Sequence, residues 1–375
     1  MKIALNTSLL YDSHLRGWNR YTSSLIEGLM DKGLNLCLYS REEIHPDFKE
    51  RFKGKGVTYR SAPGTNYLYW EQVLLPKWCK EDRVDILHSP FNYGLPVRCP
   101  CLKVLTLHDA IEQKFYFPLQ SFKEKIKPSS LKYRMIQALA PRSADHIITV
   151  SEHAKTDLIN DLNIPREKIS VTLEAHPKEF ETKVSEEEKK EVLKKYNIDF
   201  PYFFYVGGFD ERKNIPFLLE AFAKAALPNH RLVLGGGGDT SELERIASIL
   251  GVNAFVHFSG YIKDEDLPAF YQGAEAFAYA SHYEGFGLQV CEAMASACPT
   301  LVSDQASLPE VLGIGGLVFD LNDASHLADM LSKIATSKEI RDELSAKALK
   351  RSKDFSWDKM ALQTIDIYKK MLGKG

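Results

Sequence analysis

Short apolar runs, rich in β-branched and aromatic residues, alternate with helical patterns along almost the whole chain. That alternation is the strongest constraint on the fold. A parallel strand is reached only through a crossover, and the usual crossover is a helix, so the chain is committed to parallel sheets built from βαβ units. In the first part the strand candidates are residues 2–6, 34–39, 57–60, 85–89, 102–108, 146–151 and 169–173, with helical patterns over 18–30, 67–79, 122–139 and 152–161. A second series follows, with strand candidates at 202–207, 231–235, 256–261, 276–279, 300–303 and 317–319. Its first helix carries Ile215, Leu218, Leu219 and Phe222 at i, i+3, i+4, i+7 spacing.

The stretch between the two series differs in character. Residues 177–196 hold the run Glu186-Glu187-Glu188-Lys189-Lys190-Glu191, which reads as a linker followed by an exposed helix. The length of 375 residues suits two domains, here 1–177 and 178–355. The chain ends in an amphipathic helix over 356–375, whose stripe is Trp357, Ala361, Ile365, Tyr368 and Leu372. Each half is expected to be a Rossmann-like, doubly wound α/β domain, the two facing each other across a deep cleft. Ligands of such sheets lie beyond the carboxyl ends of the strands, so two facing edges suit a large, two-part ligand.

The formal charge of −2, from 48 basic and 50 acidic residues, excludes a general nucleic-acid binder. With 44% hydrophobic and 26% charged residues, disorder, collagen and coiled coil are excluded too. No run approaches the length of a membrane-spanning helix, and Met1-Lys2-Ile3-Ala4-Leu5-Asn6 reads as a first strand, not a signal peptide. The six cysteines (Cys37, Cys79, Cys99, Cys101, Cys291 and Cys298) include no Cys-x-x-Cys pair. They read as reduced core or near-surface thiols of a cytoplasmic protein, and no Cys/His set has zinc-ligand spacing.

The most informative segment is Ser281-His282-Tyr283-Glu284-Gly285-Phe286-Gly287-Leu288-Gln289-Val290-Cys291-Glu292. A strand feeds a glycine turn, and a helix starts near Gly287. Amide groups at such a start point into the turn and make a natural diphosphate site, and Gly285 and Gly287 let the backbone come close. Glu292 falls on the apolar side of the helical wheel, where a carboxylate needs hydrogen-bond partners. Ribose hydroxyls or a neighbouring Lys or Arg would supply them. Glu284 suits sugar hydroxyls or a helix cap.

Glu284 and Glu292, with seven residues between them and Gly285-Phe286-Gly287-Leu288 inside, resemble the double-glutamate motif of the retaining family 4 glycosyltransferases with the GT-B fold. The two-domain layout extends the resemblance over nearly the whole chain. It implies transfer of a hexose from a nucleotide-diphosphate sugar to a glycan or lipid-linked saccharide, without a metal or other cofactor, in polysaccharide biosynthesis. UDP-glucose is favoured by the general frequency of UDP-sugars, and GDP-mannose is the alternative. The acceptor hydroxyl would attack on the face the phosphate leaves, with that phosphate as base.

The same resemblance assigns further residues. In Val206-Gly207-Gly208-Phe209-Asp210-Glu211-Arg212-Lys213, the pair Arg212 and Lys213 would neutralise the leaving diphosphate; relatives often carry an Arg where Gly208 stands. His108, at the end of Leu105-Thr106-Leu107-His108-Asp109, would contact the donor sugar, with Asp109 orienting its ring. Gly17, followed by Trp18, replaces a richer glycine loop, and Arg20 would reach an anionic group or lie on the surface. Gly235 and Gly236 would lie near the nucleotide, and Tyr261 and Ile262 would follow the backbone that reads the base. The last helix would cross back onto the first domain.

Asp264-Glu265-Asp266 has the Asp-x-Asp spacing used elsewhere for metals, but its position before Leu267-Pro268 favours helix capping. From Phe115 to Arg134, Lys123, Lys125, Lys127, Lys132 and Arg134 follow Phe115, Tyr116 and Phe117. That stretch suits peripheral contact with the inner face of a membrane, or else a solvated helix face interrupted by Pro128. Three other readings compete with a transferase: a nucleotide-sugar epimerase, a nicotinamide-dependent oxidoreductase and a binder that does no chemistry. The oxidoreductase lacks its Gly-x-Gly-x-x-Gly fingerprint, since Gly235-x-Gly237 is followed by Thr240 in the third-glycine position.

Overall fold

The structure is a computed structural model describing residues 1–12, 17–54, 56–119 and 138–373. The chain divides into two compact units: Met1–Glu174 together with Ser356–Gly375, and Ala175–Phe355.

The first unit holds a seven-stranded parallel sheet: β1 Lys2–Asn6, β2 Asn35–Ser40, β3 Val57–Ser61, β4 Ile86–Ser89, β5 Leu102–Thr106, β6 His146–Thr149 and β7 Ile169–Val171. Their order across the sheet is β3-β2-β1-β4-β5-β6-β7. The second unit holds β8 Tyr202–Val206, β9 Arg231–Gly235, β10 Val256–Gly260, β11 Ala276–Tyr279, β12 Thr300–Ser303 and β13 Leu317–Phe319, ordered β10-β9-β8-β11-β12-β13. Every pairing is parallel. The central strands are buried on both faces, which is why they read as continuous apolar runs and not as alternation. In β8, Tyr202, Phe203, Phe204 and Tyr205 are all buried, and Tyr205 stacks on Tyr279 of β11 with centroids 5.8 Å apart.

Strand order positions the sites. In the second sheet the winding reverses at β8, which lies between β9 and β11; in the first it reverses at β1, between β2 and β4. Helices there leave opposite faces of the sheet, so a crevice opens at the strands' carboxyl ends. The segments that follow β8 and β11 therefore belong to one edge.

Several strands stop short of the sequence expectation. The one expected over 146–151 ends at Thr149 because Ser151 caps the helix Glu152–Leu162, its hydroxyl accepting from Ala154 N at 2.9 Å. The helix expected over 67–79 runs on to Glu81 and contains a wide turn over Trp70–Leu74. Pro76 has no N–H to return to Gln72, and Leu75 N donates back to Trp70 O. The charged run becomes the helix Glu186–Lys195, with Val192 its buried residue. Most of the helix expected over 122–139, and with it most of the basic stretch from Phe115 to Arg134, lies outside the described residues.

The last helix, Trp357–Met371, belongs to the first unit and packs along the helix Gly17–Asp31. Ala361, Ile365 and Tyr368 of its stripe are buried, and Trp357 and Leu372 are half-buried. Among the described residues, no helix is long and apolar enough to cross a membrane.

Candidate active site

The site of the second unit is built at the reversal between β8 and β11. After β8, the chain passes Gly207 and Gly208 and makes one short helical turn, Glu211–Lys213. Asn214 ends that turn with φ of 52°. Asn tolerates this left-handed conformation better than most residues. After β11, the chain runs through Ser281 to Gly287, and the helix Leu288–Ala295 begins. His282 N donates to Arg212 O at 2.8 Å and ties the two segments together.

Three charged side chains meet there. Lys213 Nζ and Arg212 Nη1 each lie 2.6 Å from Glu284 Oε1. Lys213 also donates to the Tyr279 hydroxyl at 2.5 Å, and Arg212 Nη1 donates to Tyr283 O at 2.9 Å. Burial pushes the Lys213 ammonium below the usual lysine range, and Glu284 offsets only part of that. Burial alone would raise the Glu284 carboxyl, but Lys213 and Arg212 outweigh it and hold it below the usual carboxylate range. The result is a largely buried carboxylate, its side chain 12% exposed, holding two cations at fixed positions.

The turn itself is clamped. Gly287 sits at φ of 101° as the cap of its helix, a conformation that disfavours any side chain. The buried Ser307 hydroxyl donates to the carbonyls of Glu284 and Phe286, at 2.9 and 3.0 Å. Gly285 and Phe286 are buried, and Phe286 meets Phe355 edge-on. Ser307 and Tyr279 were not foreseen. Ser307 lies 23 residues beyond Glu284, and no local pattern marks it.

The glycine loops pack by backbone. Gly207 N donates to Gly235 O at 3.0 Å and Gly236 N to Gly260 O at 2.9 Å, so the ends of β8, β9 and β10 are joined. A Cβ at Gly236 would lie 2.1 Å from Gly207 O, so glycine is required there. Gly208 is exposed, and its carbonyl accepts from Tyr205 at 2.5 Å. Beyond β10, Ile262 is buried under Gly235 while Tyr261 is 57% exposed. Leu288 opens the helix half-buried.

Glu292 lies inside, as its wheel position requires, and accepts from the Tyr271 hydroxyl at 3.1 Å. A tyrosine from the helix Leu267–Gly273 supplies that hydrogen bond.

Asp266 does not cap that helix. It adopts helical backbone angles and makes no cap hydrogen bond; Pro268 at the second position lacks an N–H to offer. Its carboxylate instead accepts from the Tyr196 hydroxyl at 2.8 Å and lies 3.6 Å from Lys195 Nζ.

In the first unit, His108 follows β5 and is 4% exposed. Its Nε2 faces Pro90 O and its Nδ1 faces Glu174 Oε1, each at 3.0 Å. A carbonyl only accepts, so Nε2 carries a hydrogen, and the second contact shares a proton with Glu174. The orienting carboxylate is therefore Glu174 and not Asp109. Both ring nitrogens are thus taken, and Asp109 Oδ1 accepts from Ile111 N at 3.1 Å in the following turn. Tyr21 meets the His108 ring edge-on at 4.7 Å, and Trp18 lies over it at 6.0 Å. Gly17 is exposed with open space around it. Arg20 is only 9% exposed, so it is not a surface arginine.

Comparison with known proteins agrees with this layout. Residues 185–351 match the family described as Glycosyl transferases group 1, and residues 15–172 match Glycosyltransferase Family 4. The chain is 32% identical over 298 residues to O-antigen chain mannosyltransferase B of Escherichia coli, covering 78% of this chain and 76% of that protein. It is 26% identical to mannosylfructose-phosphate synthase of Agrobacterium fabrum, over 92% of this chain and 85% of that one. Among solved structures, Anabaena HepE in complex with UDP and glucose superposes with a TM-score of 0.76 at 16% identity, covering 99% of this chain and 100% of that one. WaaG, a glycosyltransferase involved in lipopolysaccharide biosynthesis, gives 0.72 at 17% identity, covering 98% and 99%. The chain belongs to glycosyltransferase family 4 and is a glycosyltransferase with the GT-B fold.

Proposed function

We propose that the chain is a retaining mannosyltransferase that moves mannose from GDP-mannose to a hydroxyl of a growing saccharide or lipid-linked saccharide. The observation that carries the transfer chemistry is the meeting of Lys213 and Arg212 on Glu284 beside the helix start at Gly287. A departing nucleoside diphosphate gains negative charge as its bond to the sugar breaks. Two fixed cations and a helix N-terminus stabilise that charge where it develops. Glu284 holds both cations in place before the donor arrives, which limits reorganisation during the reaction. With the charge met by side chains, the proposed reaction needs no metal ion.

In this proposal the bond between the anomeric carbon and the phosphate oxygen breaks, and the acceptor oxygen bonds to the same face of that carbon. The acceptor proton passes to the departing phosphate. The choice of mannose over the more frequent glucose is supported by the named relatives, of which O-antigen chain mannosyltransferase B is 32% identical. That relative's name also supports a polysaccharide acceptor.

The test is to incubate the purified protein with GDP-mannose, UDP-glucose and ADP-glucose, with and without EDTA, and follow nucleotide release and sugar products. GDP release from GDP-mannose, indifferent to EDTA, is expected. Release of UDP alone would keep the transfer chemistry and replace the donor. Appearance of an epimerised nucleotide sugar would replace transfer with epimerisation. Calorimetric binding without release, even with saccharide acceptors present, would reduce the chain to a binder.

A further inference from the structure

Three cysteines far from the charged cluster come together in the first unit. Cys79 is on the helix Leu75–Glu81, and Cys99 and Cys101 are on the segment leading into β5. The Sγ atoms of Cys99 and Cys101 are 3.3 Å apart, and all three sulfurs lie within 4.8 Å of one another. Spacing in the sequence gave no such set, because the third ligand comes from another element some twenty residues earlier.

We propose that Cys79, Cys99 and Cys101 form a structural binding site for one thiophilic cation of the zinc type. Thiolates bound to zinc at about 2.3 Å lie roughly 3.8 Å apart, close to the 3.3 Å between Cys99 and Cys101 and inside the 4.8 Å that contains all three sulfurs. Three sulfur ligands select soft cations over magnesium or calcium. Cys79 is buried and closes the inner side, while Cys99 and Cys101 are half-buried. Both line a surface hollow with Asp85, Arg98, Lys103 and Asp145. That hollow gives a route of access and room for water as the fourth ligand.

The electrostatics agree. Three thiolates around a divalent cation leave one net negative charge. The buried Lys103 ammonium, bonded to Val97 O at 3.0 Å, lies under the same segment and offsets it. A bound ion would tie the segment before β5 to the helix Leu75–Glu81, and its binding energy would add to the stability of the fold.

The test uses the full chain, stripped of metal under a non-thiol reductant and then given Zn2+. One equivalent per chain should survive desalting and compete with a colorimetric chelator. Alkylation followed by peptide mass spectrometry should show Cys79, Cys99 and Cys101 protected about tenfold or more, with Cys37, Cys291 and Cys298 unaffected by zinc. Cys99→Ser and Cys101→Ser should each lose the bound equivalent. Failure to retain zinc, retention unchanged in both variants, or wild-type alkylation rates indifferent to zinc would each overturn the site. So would zinc-insensitive oxidation of Cys99 and Cys101 to a disulfide. The wild-type alkylation needs no variant to fold, and none of these readings depends on the sugar donor.

Discussion

The Tyr368 hydroxyl meets His88 Nδ1 at 2.6 Å, joining the last helix to β4 across 280 residues of sequence. The other ring nitrogen of His88 meets the Thr106 hydroxyl at 2.8 Å. His88 is fully buried, and burial, with a smaller effect of His108, pushes it down to about 3. It is therefore neutral in the folded chain at ordinary pH. The unfolded chain binds a proton at His88 near pH 6.5. Between those two values the unfolded state holds more protons, so stability falls as pH drops from about 6.5 towards 3. The whole window is worth on the order of 5 kcal/mol, and the cost is absent above it. Urea unfolding at pH 7 and pH 4.5 should show this loss, and His88→Gln should flatten it. An unchanged slope in His88→Gln would assign the acid sensitivity to another group.

The strands and the charged cluster were legible in the sequence to different degrees. Strand candidates such as Ala276–Tyr279 and Thr300–Ser303 were found at their full extent because buried parallel strands leave uninterrupted apolar runs. Glu284, Lys213 and Arg212 were named from motifs, yet their sharing of one carboxylate oxygen depends on the strand order, which no local pattern states. Long-range partners were the least legible. Glu174 lies 66 residues from His108, and Asp109, next to His108 in sequence, looked the better partner. Adjacent residues on an extended chain point away from each other, so the neighbour in sequence was the poorer choice.

Lys213 is expected to be the most sensitive position for donor turnover. Lys213→Ala should lower nucleotide release by about 10²- to 10³-fold, the usual effect of losing one group that meets developing charge. The pH profile should carry the signature of the pair. Lys213 loses its charge as pH rises through a value lowered by burial, so the alkaline limb should lie below the ordinary lysine value of about 10.4. Glu284, held down by Lys213 and Arg212 against its burial, should stay ionised below the usual carboxylate range. Its contribution to stability is thus present above about pH 4.3 and lost only as pH falls through its lowered value. In Glu284→Gln the burial of Lys213 loses its main counterweight, and the alkaline limb should move to lower pH. A limb that stays in place would show that Lys213 does not set it.

The close approach of the first and last helices of the first unit gives a prediction on stability. A Cβ at Gly28 would lie 2.5 Å from the Cβ of Ala361. In an exposed helix, alanine would stabilise relative to glycine by about 1 kcal/mol. Here neither Cβ can rotate away, so the helices must separate, at a cost of about 1–3 kcal/mol. Gly28→Ala should therefore destabilise despite its better helix propensity. Ala361→Gly removes the opposing methyl and should destabilise alone, through the glycine in its own helix. Combined, the clash is gone, and the double variant should be more stable than the two single losses predict, with a coupling of about 0.5–3 kcal/mol. Urea unfolding of the four proteins measures that coupling directly. Strict additivity would mean that the helices part without strain at this crossing, and that Gly28 is not what lets Trp357–Met371 pack so closely.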